Sequence, residues 1–215
     1  MTIYASVLSS NFACLRDEVS LLDQAGIDGY HIDIMDGHFV PFLSMGPRII
    51  DTLSVLTPKK LDVHLMVENP ENLIPFCLKA HSLTVHGECL GLERARSMVK
   101  KAQIPFGLAI NPQTDLACLY TQPKPDFVLV MGVQPGQGGQ AFLPETIERV
   151  RILVQKGYKV HVDGGVNDQW AQSLWRAGAH TLVSGSFLWP RLTDTAASVR
   201  LRIADISKNK KIPLM

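Results

Sequence analysis

Residues 30-YHIDIMDGHFVP-41 set an apolar, strand-like run against three groups foreign to a core, His31, Asp33 and Asp36, within six positions. An unpartnered buried charge is costly, and buried charges are as a rule paired or bound to a metal. His31 and Asp33 are two apart, so on a strand they share a face. The same residue types recur at the ends of two later apolar runs, His64 in 60-KLDVHL-65 and Asp163 in 158-YKVHVD-163. Each histidine alone reads as an ordinary core residue. Together the four raise the question of which fold would gather them.

Short β-branched runs alternate with longer amphipathic stretches along the whole chain. Strands are expected near 3-IYASVL-8, 28-DGYHIDI-34, 60-KLDVHL-65, 82-SLTVH-86, 105-PFGLAI-110, 126-DFVLVM-131, 158-YKVHVD-163 and 180-HTLVSG-185. The clearest helical patterns are 11–26, with Asn11 as N-cap and Gly26 as stop, and 144–157, with Pro144 in the first turn and Gly157 at the end. Eight strands, each followed by a helix or helix-like segment with no linker between, predict a TIM (β/α)8 barrel over an open doubly wound sheet. One such domain, residues 1–215, is expected. Active sites of barrels lie at the C-terminal ends of the strands. His31, Asp33, His64 and Asp163 all fall there, pointing into one mouth.

The bulk properties exclude several classes. Apolar residues make up 46% and charged residues 19% of the chain, a globular composition, and the net charge of +1 gives no electrostatic footprint for nucleic acid. The one dense basic run, 208-KNKK-211, reads as solvated surface. Cys14, Cys77, Cys89 and Cys118 show neither CxxC spacing nor a disulfide framework, which suits a reducing compartment. No apolar stretch is long enough to cross a bilayer and the N-terminus lacks the pattern of a signal peptide, so a cytoplasmic protein without a membrane partner is expected.

The segments 6-SVLSSNF-12, 31-HIDIMDGHFVP-41, 64-HLMV-67, 131-MGVQPGQGGQAF-142, 163-DGGV-166 and 178-GAHTLVSGS-186 resemble, in order and spacing, the ribulose-phosphate 3-epimerase family, with the allulose-6-phosphate 3-epimerases as close relatives. The resemblance runs from about Ser6 to Ser186. It implies a ribulose-phosphate-binding type of TIM barrel, a homo-oligomer, and one divalent cation (zinc, manganese, iron or cobalt) held by His31, Asp33, His64 and Asp163. It implies Asp33 and Asp163 as the acid/base pair, and Ser6 and His64 as substrate contacts. The phosphate of a ketose phosphate would lie against Gly136, Gln137, Gly138 and Gly139, against Gly185 and Ser186, and near Gly164 and Gly165. Met35, Met66 and Met131 would line the pocket.

Such a set has a chemical logic. Inverting a carbon beside a ketone requires removing its proton on one face and returning one on the other, with the negative charge spread into an enediolate. A cation stabilises that charge, and two carboxylates from different strands can flank the planar intermediate. Glycines in 136-GQGG-139 let backbone N–H groups approach an anion, and a short helix after Gly185 would add its N-terminus. No Arg or Lys lies inside these motifs, so anion binding is expected to rest on backbone. Asp36 is expected to brace its loop or, as the lesser reading, to partner a ligand; Asp62 and His161 are expected to lie one layer deeper in the barrel, with direct ligation by His161 the minority alternative, and His86 with Glu88 to shape the rim.

The chain departs from the family pattern at Ala5, Asn11, Gly37, Phe42, Gly132, Gln134 and Gln137, none of them a proposed ligand or base. These positions lie on substrate-facing loops. The expected reaction is 3-epimerisation of ribulose 5-phosphate in the pentose phosphate pathway. The alternatives are the same chemistry on a six-carbon ketose phosphate such as allulose 6-phosphate, and a sugar-phosphate-binding barrel without turnover.

Overall fold

The β-branched runs form eight strands in the computed structural model, which describes residues 1–89, 92–101, 103–120 and 123–208. They are β1 (Thr2–Ser6), β2 (Gly29–Met35), β3 (Lys60–Met66), β4 (Ser82–His86), β5 (Phe106–Ile110), β6 (Phe127–Met131), β7 (Val160–Asp163) and β8 (Thr181–Ser184). Neighbours pair in parallel in sequence order and β8 returns to β1, closing a TIM (β/α)8 barrel. Every strand ends within two residues of its expected bounds. The reason is burial on both faces, which demands near-continuous apolar sequence; all seven residues of β2 are buried.

Among the described residues, six α-helices cover the outside: α1 (Leu15–Ala25), α2 (Arg48–Leu56), α3 (Leu92–Lys101), α4 (Thr146–Gln155), α5 (Asp168–Arg176) and α6 (Ala196–Ser207). The expected helix at 11–26 begins as a 3-10 turn, Phe12–Cys14, and Asn11 caps that turn by accepting from the Ala13 N–H rather than capping α1. Gly26 does end α1, in the left-handed conformation at φ 91°. Among the described residues, no α-helix follows β3 or β5 before the next strand. The chain makes 3-10 turns instead, at Pro70–Asn72, Ile74–Phe76 and Leu116–Leu119. Pro70 and Pro75 interrupt the first connection, and Pro112, Pro123 and Pro125 the second. Proline removes an N–H and pushes the preceding residue out of the helical region. The short helix expected after Gly185 is likewise one turn, closed by Leu188 N–H donating to Gly185 O at 2.9 Å.

Alternation along β2 separates two environments. Tyr30, Ile32 and Ile34 join the core between barrel and helices, and the Tyr30 hydroxyl donates to Asp23 Oδ1 of α1 at 2.8 Å. That outer core takes Val19 and Leu22 from α1, Leu174 and Trp175 from α5, and Ile206 from α6. Each such side chain contributes about 1.5–3 kcal/mol on burial. His31, Asp33 and Met35 take the opposite face, toward the barrel axis. Register then sets their neighbours: Ser6 beside His31, His31 beside Asp62, Asp33 beside His64, Met35 beside Met66, and Met131 beside Asp163.

The loop after β2 is braced by Asp36, whose Oδ1 accepts from the His38 and Phe39 N–H groups and whose Oδ2 accepts from Glu68 N–H at 2.8 Å. Among the described residues no helix is long and apolar enough to cross a membrane. Of the basic run at 208–211, residues 209–211 lie outside the described residues.

Candidate functional site

His31, Asp33, His64 and Asp163, from β2, β3 and β7, meet at the C-terminal end of the barrel, all buried, with one donor atom from each lying within 4.8 Å of the others. His31 Nδ1 is 2.8 Å from Asp62 Oδ2. A carboxylate only accepts, so the ring proton sits on Nδ1 and the lone pair on Nε2. That Nε2 is buried and has no hydrogen-bond partner, although it lies 3.3 Å from Asp33 Oδ1 and 3.7 Å from Asp163 Oδ2. On a neutral ring, a lone pair facing two carboxylate oxygens is repelled by both, so these carboxylates favour positive charge at Nε2, from a second ring proton or from a cation. A cation among them reverses the sign of all these terms.

His64 Nδ1 is 3.1 Å from the same Asp33 Oδ1, while Asp33 Oδ2 accepts from the Ser6 hydroxyl at 2.8 Å. Asp33 thus turns one oxygen to the histidines and has the other fixed by Ser6. Burial opposes the Asp33 charge, but attraction and hydrogen bonds from His31 and His64 hold its carboxyl well below the usual range. Burial also opposes a charge on His31, where Asp33, Asp62 and Asp163 win and raise its pKa. Asp163 is pushed up to about 7 by burial and the charge of Asp33. His64 is pushed down to about 4 by burial, which keeps it a neutral lone-pair donor. The donor set, two imidazoles and two carboxylates with an orphaned nitrogen among them, fits a divalent cation; the ligand types suit zinc, manganese, iron and cobalt alike.

Two deeper groups behave differently. Asp62 holds His31, as a partner that orients a metal-binding imidazole does. His161 has neither ring nitrogen hydrogen-bonded and stacks on Phe127 at 4.1 Å between ring centroids. Burial pushes His161 down to about 3, so it is a neutral ring in the core and no member of the four-residue group.

A cavity of about 450 Å³ opens above the cluster, a size typical of small-ligand sites. Asp33 and Asp163 reach its floor, with Ser6 beside them and Met35, Met66 and Met131 forming an apolar wall. His31 and His64 do not line it. His64, expected to touch substrate, is fully buried beneath the floor. A further wall carries Gly136, Gln137, Gly138 and Gly139, with Gly164, Gly165, Gly185 and Ser186 also in the lining. Gln140 Nε2 braces that loop by donating to Gln134 O at 2.7 Å and Gln137 O at 2.8 Å. A Cβ added at Gly138 would meet nothing within 4 Å, whereas one at Gly165, where φ is +69°, would lie 2.8 Å from Phe142 Cα.

Arg191 also lines the cavity, the one Arg or Lys among its described lining residues. It adds a cationic side chain that the expectation of an anion site built from backbone did not include. Arg191 lies on an irregular loop after β8, outside every motif, and no periodicity marks it; chain position just past Gly185 and Ser186 was the available signal. His86 and Glu88 also differ from expectation. His86 is fully buried rather than on the rim, with Nε2 2.9 Å from His64 Nε2 and Nδ1 3.2 Å from Glu88 Oε2. Burial would raise the Glu88 carboxyl, but hydrogen bonds from His86, Thr114 and Asn111 bring it down to about 2.

Comparison with known proteins gives concordant results. The model of the ribulose-phosphate 3 epimerase family matches residues 2–189. A ribulose-phosphate 3-epimerase of Bacillus subtilis is 40% identical over 195 residues, covering 86% of this chain and 90% of that protein. One from Synechocystis is 36% identical over 214 residues, covering 93% of each. Among solved structures, a 3-hexulose-6-phosphate synthase from Salmonella typhimurium superposes with a TM-score of 0.71 at 14% identity, over 97% of this chain and 100% of that one. At that identity the likeness speaks for the barrel alone.

Proposed function

The chain belongs to the ribulose-phosphate 3-epimerase family and is an isomerase, and from that premise we propose that it interconverts D-ribulose 5-phosphate and D-xylulose 5-phosphate, a pentose phosphate pathway step, with one bound divalent cation. The observation that carries the reading is the buried, unpartnered His31 Nε2 facing two carboxylates at the floor of the cavity. His31 Nε2, His64 Nδ1 and an oxygen each of Asp33 and Asp163 would hold the cation. When bound it supplies Lewis-acid stabilisation of the charge that develops on the ketone oxygen, on the order of several kcal/mol.

The remaining chemistry belongs to side chains. One carboxylate takes the C3 proton, the C3–H electron pair moves into the C2–C3 bond as the carbonyl becomes an enediolate, and the other carboxyl returns a proton to the opposite face. The reverse reaction exchanges the roles. Asp33 and Asp163 stand on β2 and β7, separated around the barrel by β8 and β1, which suits attack from two sides. Ser6 orients Asp33 through its hydroxyl, and Met35, Met66 and Met131 keep water from the reacting carbon. The phosphate would rest on the 136–139 backbone and the Gly164, Gly165, Gly185 and Ser186 wall, with Arg191 adding charge. The four cysteines are free thiols, which supports a reducing, cytoplasmic setting; a homo-oligomer is part of the same proposal.

Heavy water tests the reading. Metal-replete protein given ribulose 5-phosphate is expected to introduce deuterium at C3 and to form xylulose 5-phosphate. Ribulose 5-phosphate is expected to exceed allulose 6-phosphate in specificity constant. Failure to exchange either sugar would contradict the proposal, and preference for the six-carbon sugar would overturn the substrate.

A further inference from the structure

Behind His64 a line of hydrogen bonds runs from the buried interior toward the surface. His64 Nε2 faces His86 Nε2 at 2.9 Å, His86 Nδ1 faces Glu88 Oε2 at 3.2 Å, and Glu88 Oε1 accepts from the Asn111 N–H at 3.0 Å and from the Thr114 hydroxyl. Both imidazoles are fully buried, and between two facing ring nitrogens of neutral imidazoles there is room for one proton. The line therefore has two polarities. In one, His64 Nε2–H donates to His86, and His86 Nδ1–H donates to Glu88. In the other, His86 Nε2–H donates to His64, which puts the proton of His64 on Nδ1, facing Asp33.

Two carboxylates pull in opposite directions: Asp33 Oδ1, 3.1 Å from His64 Nδ1, favours the second polarity in the metal-free chain, and Glu88 favours the first; a cation at the cluster would engage Asp33 and leave the choice to Glu88. An ionised carboxylate has no proton to give. In the second polarity the bare His86 Nδ1 would face the bare Glu88 Oε2, and a buried pair of acceptors forfeits a hydrogen bond and adds repulsion. We propose that Glu88 is a positioning residue which, through His86, keeps the proton of His64 on Nε2 and so leaves the Nδ1 lone pair free for the cation. This rests on the reading that a cation binds at the four-residue cluster. It gives His64 what Asp62 gives His31, by way of one more ring.

The proposal makes an unusual prediction about Glu88→Gln. The carboxamide can keep its oxygen on Asn111 and Thr114 only by turning its NH2 toward His86 Nδ1. His86 must then accept there, carry its proton on Nε2 and donate to His64, which places the His64 proton on Nδ1 against the cation. Glu88→Ala merely removes the acceptor and imposes no polarity. The isosteric variant should therefore be worse than the truncated one.

The experiment is competition for zinc between a chromophoric chelator and wild-type, E88A or E88Q protein, together with nitrogen-15 NMR of the histidine side chains of zinc-loaded wild type. Loss of zinc affinity by about 10- to 100-fold is expected in E88Q, in the range usual for partners behind a ligand, with a smaller loss in E88A. The His86 proton is expected on Nδ1 alone in zinc-loaded wild type, hydrogen-bonded to Glu88. Zinc affinity of folded E88Q within twofold of wild type, or a His86 ring without a proton on Nδ1 in zinc-loaded wild type, would overturn the inference. The second readout needs no variant to fold. Absence of stoichiometric zinc binding by wild type would instead remove the cation reading itself, a separate result.

Discussion

The floor and the glycine-rich wall of the cavity are built by opposite means. At the floor, side chains on β2, β3 and β7 do everything: they are buried, their register is fixed by the sheet, and Asp62, Ser6 and His86 each hold one of them. At the glycine-rich wall the side chains are mostly missing. The 136–139 loop and Gly164, Gly165 and Gly185 present backbone, and Arg191 is the lone cationic side chain among the described lining. The contrast matches the two ends of a ketose phosphate. The reacting carbon needs groups with a defined protonation state at a defined atom, which a closed barrel supplies. A phosphate asks only for several N–H groups and some positive charge, which a loop can give.

Perturbing the floor should therefore damage turnover, and perturbing the wall should damage binding. Asp163→Asn removes one proposed acid/base group and one proposed ligand while keeping shape. Turnover is expected to fall by at least the ~10²- to 10⁴-fold typical of general acid–base groups, with the fold retained by circular dichroism; a kcat within tenfold of wild type would take Asp163 out of the role. Gly165→Ala tests how tightly the wall is built. Its positive φ and the 2.8 Å approach to Phe142 Cα predict a destabilisation of about 1–3 kcal/mol, visible in denaturant unfolding.

Gly138→Ala should separate binding from stability most cleanly. Nothing stands within 4 Å of the added methyl, so the fold should tolerate it, and a ligand pressed on that backbone should not. The expected result is a several-fold rise in KM with kcat and unfolding midpoint little changed. An unchanged KM would move the phosphate elsewhere. Arg191→Gln should act in the same direction but less, since its exposed charge is screened. KM is expected to rise a few-fold at low salt and to converge on the wild-type value as salt increases; equal KM at low salt would leave the wall to backbone alone.

Acid should expose the link behind the floor. The Glu88 carboxyl stands at about 2 in the folded chain against an ordinary 4.5, because His86, Thr114 and Asn111 donate to it despite burial. A lowered folded pKa gives stability that is complete above the ordinary value and is lost as pH falls toward the folded one. Between pH 5 and pH 3 the unfolding midpoint of wild type should fall faster than that of E88Q. Parallel decline would show that the carboxylate contributes no such stability.

The same contrast explains what could be read in the sequence. Strands and floor were legible because a buried parallel strand admits few polar residues, so His31, Asp33, His64 and Asp163 stand out, and a spacing of two puts His31 with Asp33 on one face. The spacing from Asp62 to His64 marked the layer below in the same way. The partnership of His64 with His86 was not legible, because it depends on side chains reaching across from β3 to β4 rather than on spacing within a strand. Arg191 escaped because a loop carries no period. The connections after β3 and β5 were expected to be helix-like, and their prolines, visible in the sequence, outweighed that pattern.

The central claim is that buried imidazoles and carboxylates at one end of the barrel hold a cation that the reaction needs. Metal analysis of purified protein, followed by chelation and re-addition while C3 deuterium exchange is recorded, tests it most directly. The account predicts about one divalent ion per chain, exchange abolished when it is removed, and recovery when it returns. Full exchange by protein stripped of every divalent ion would contradict it.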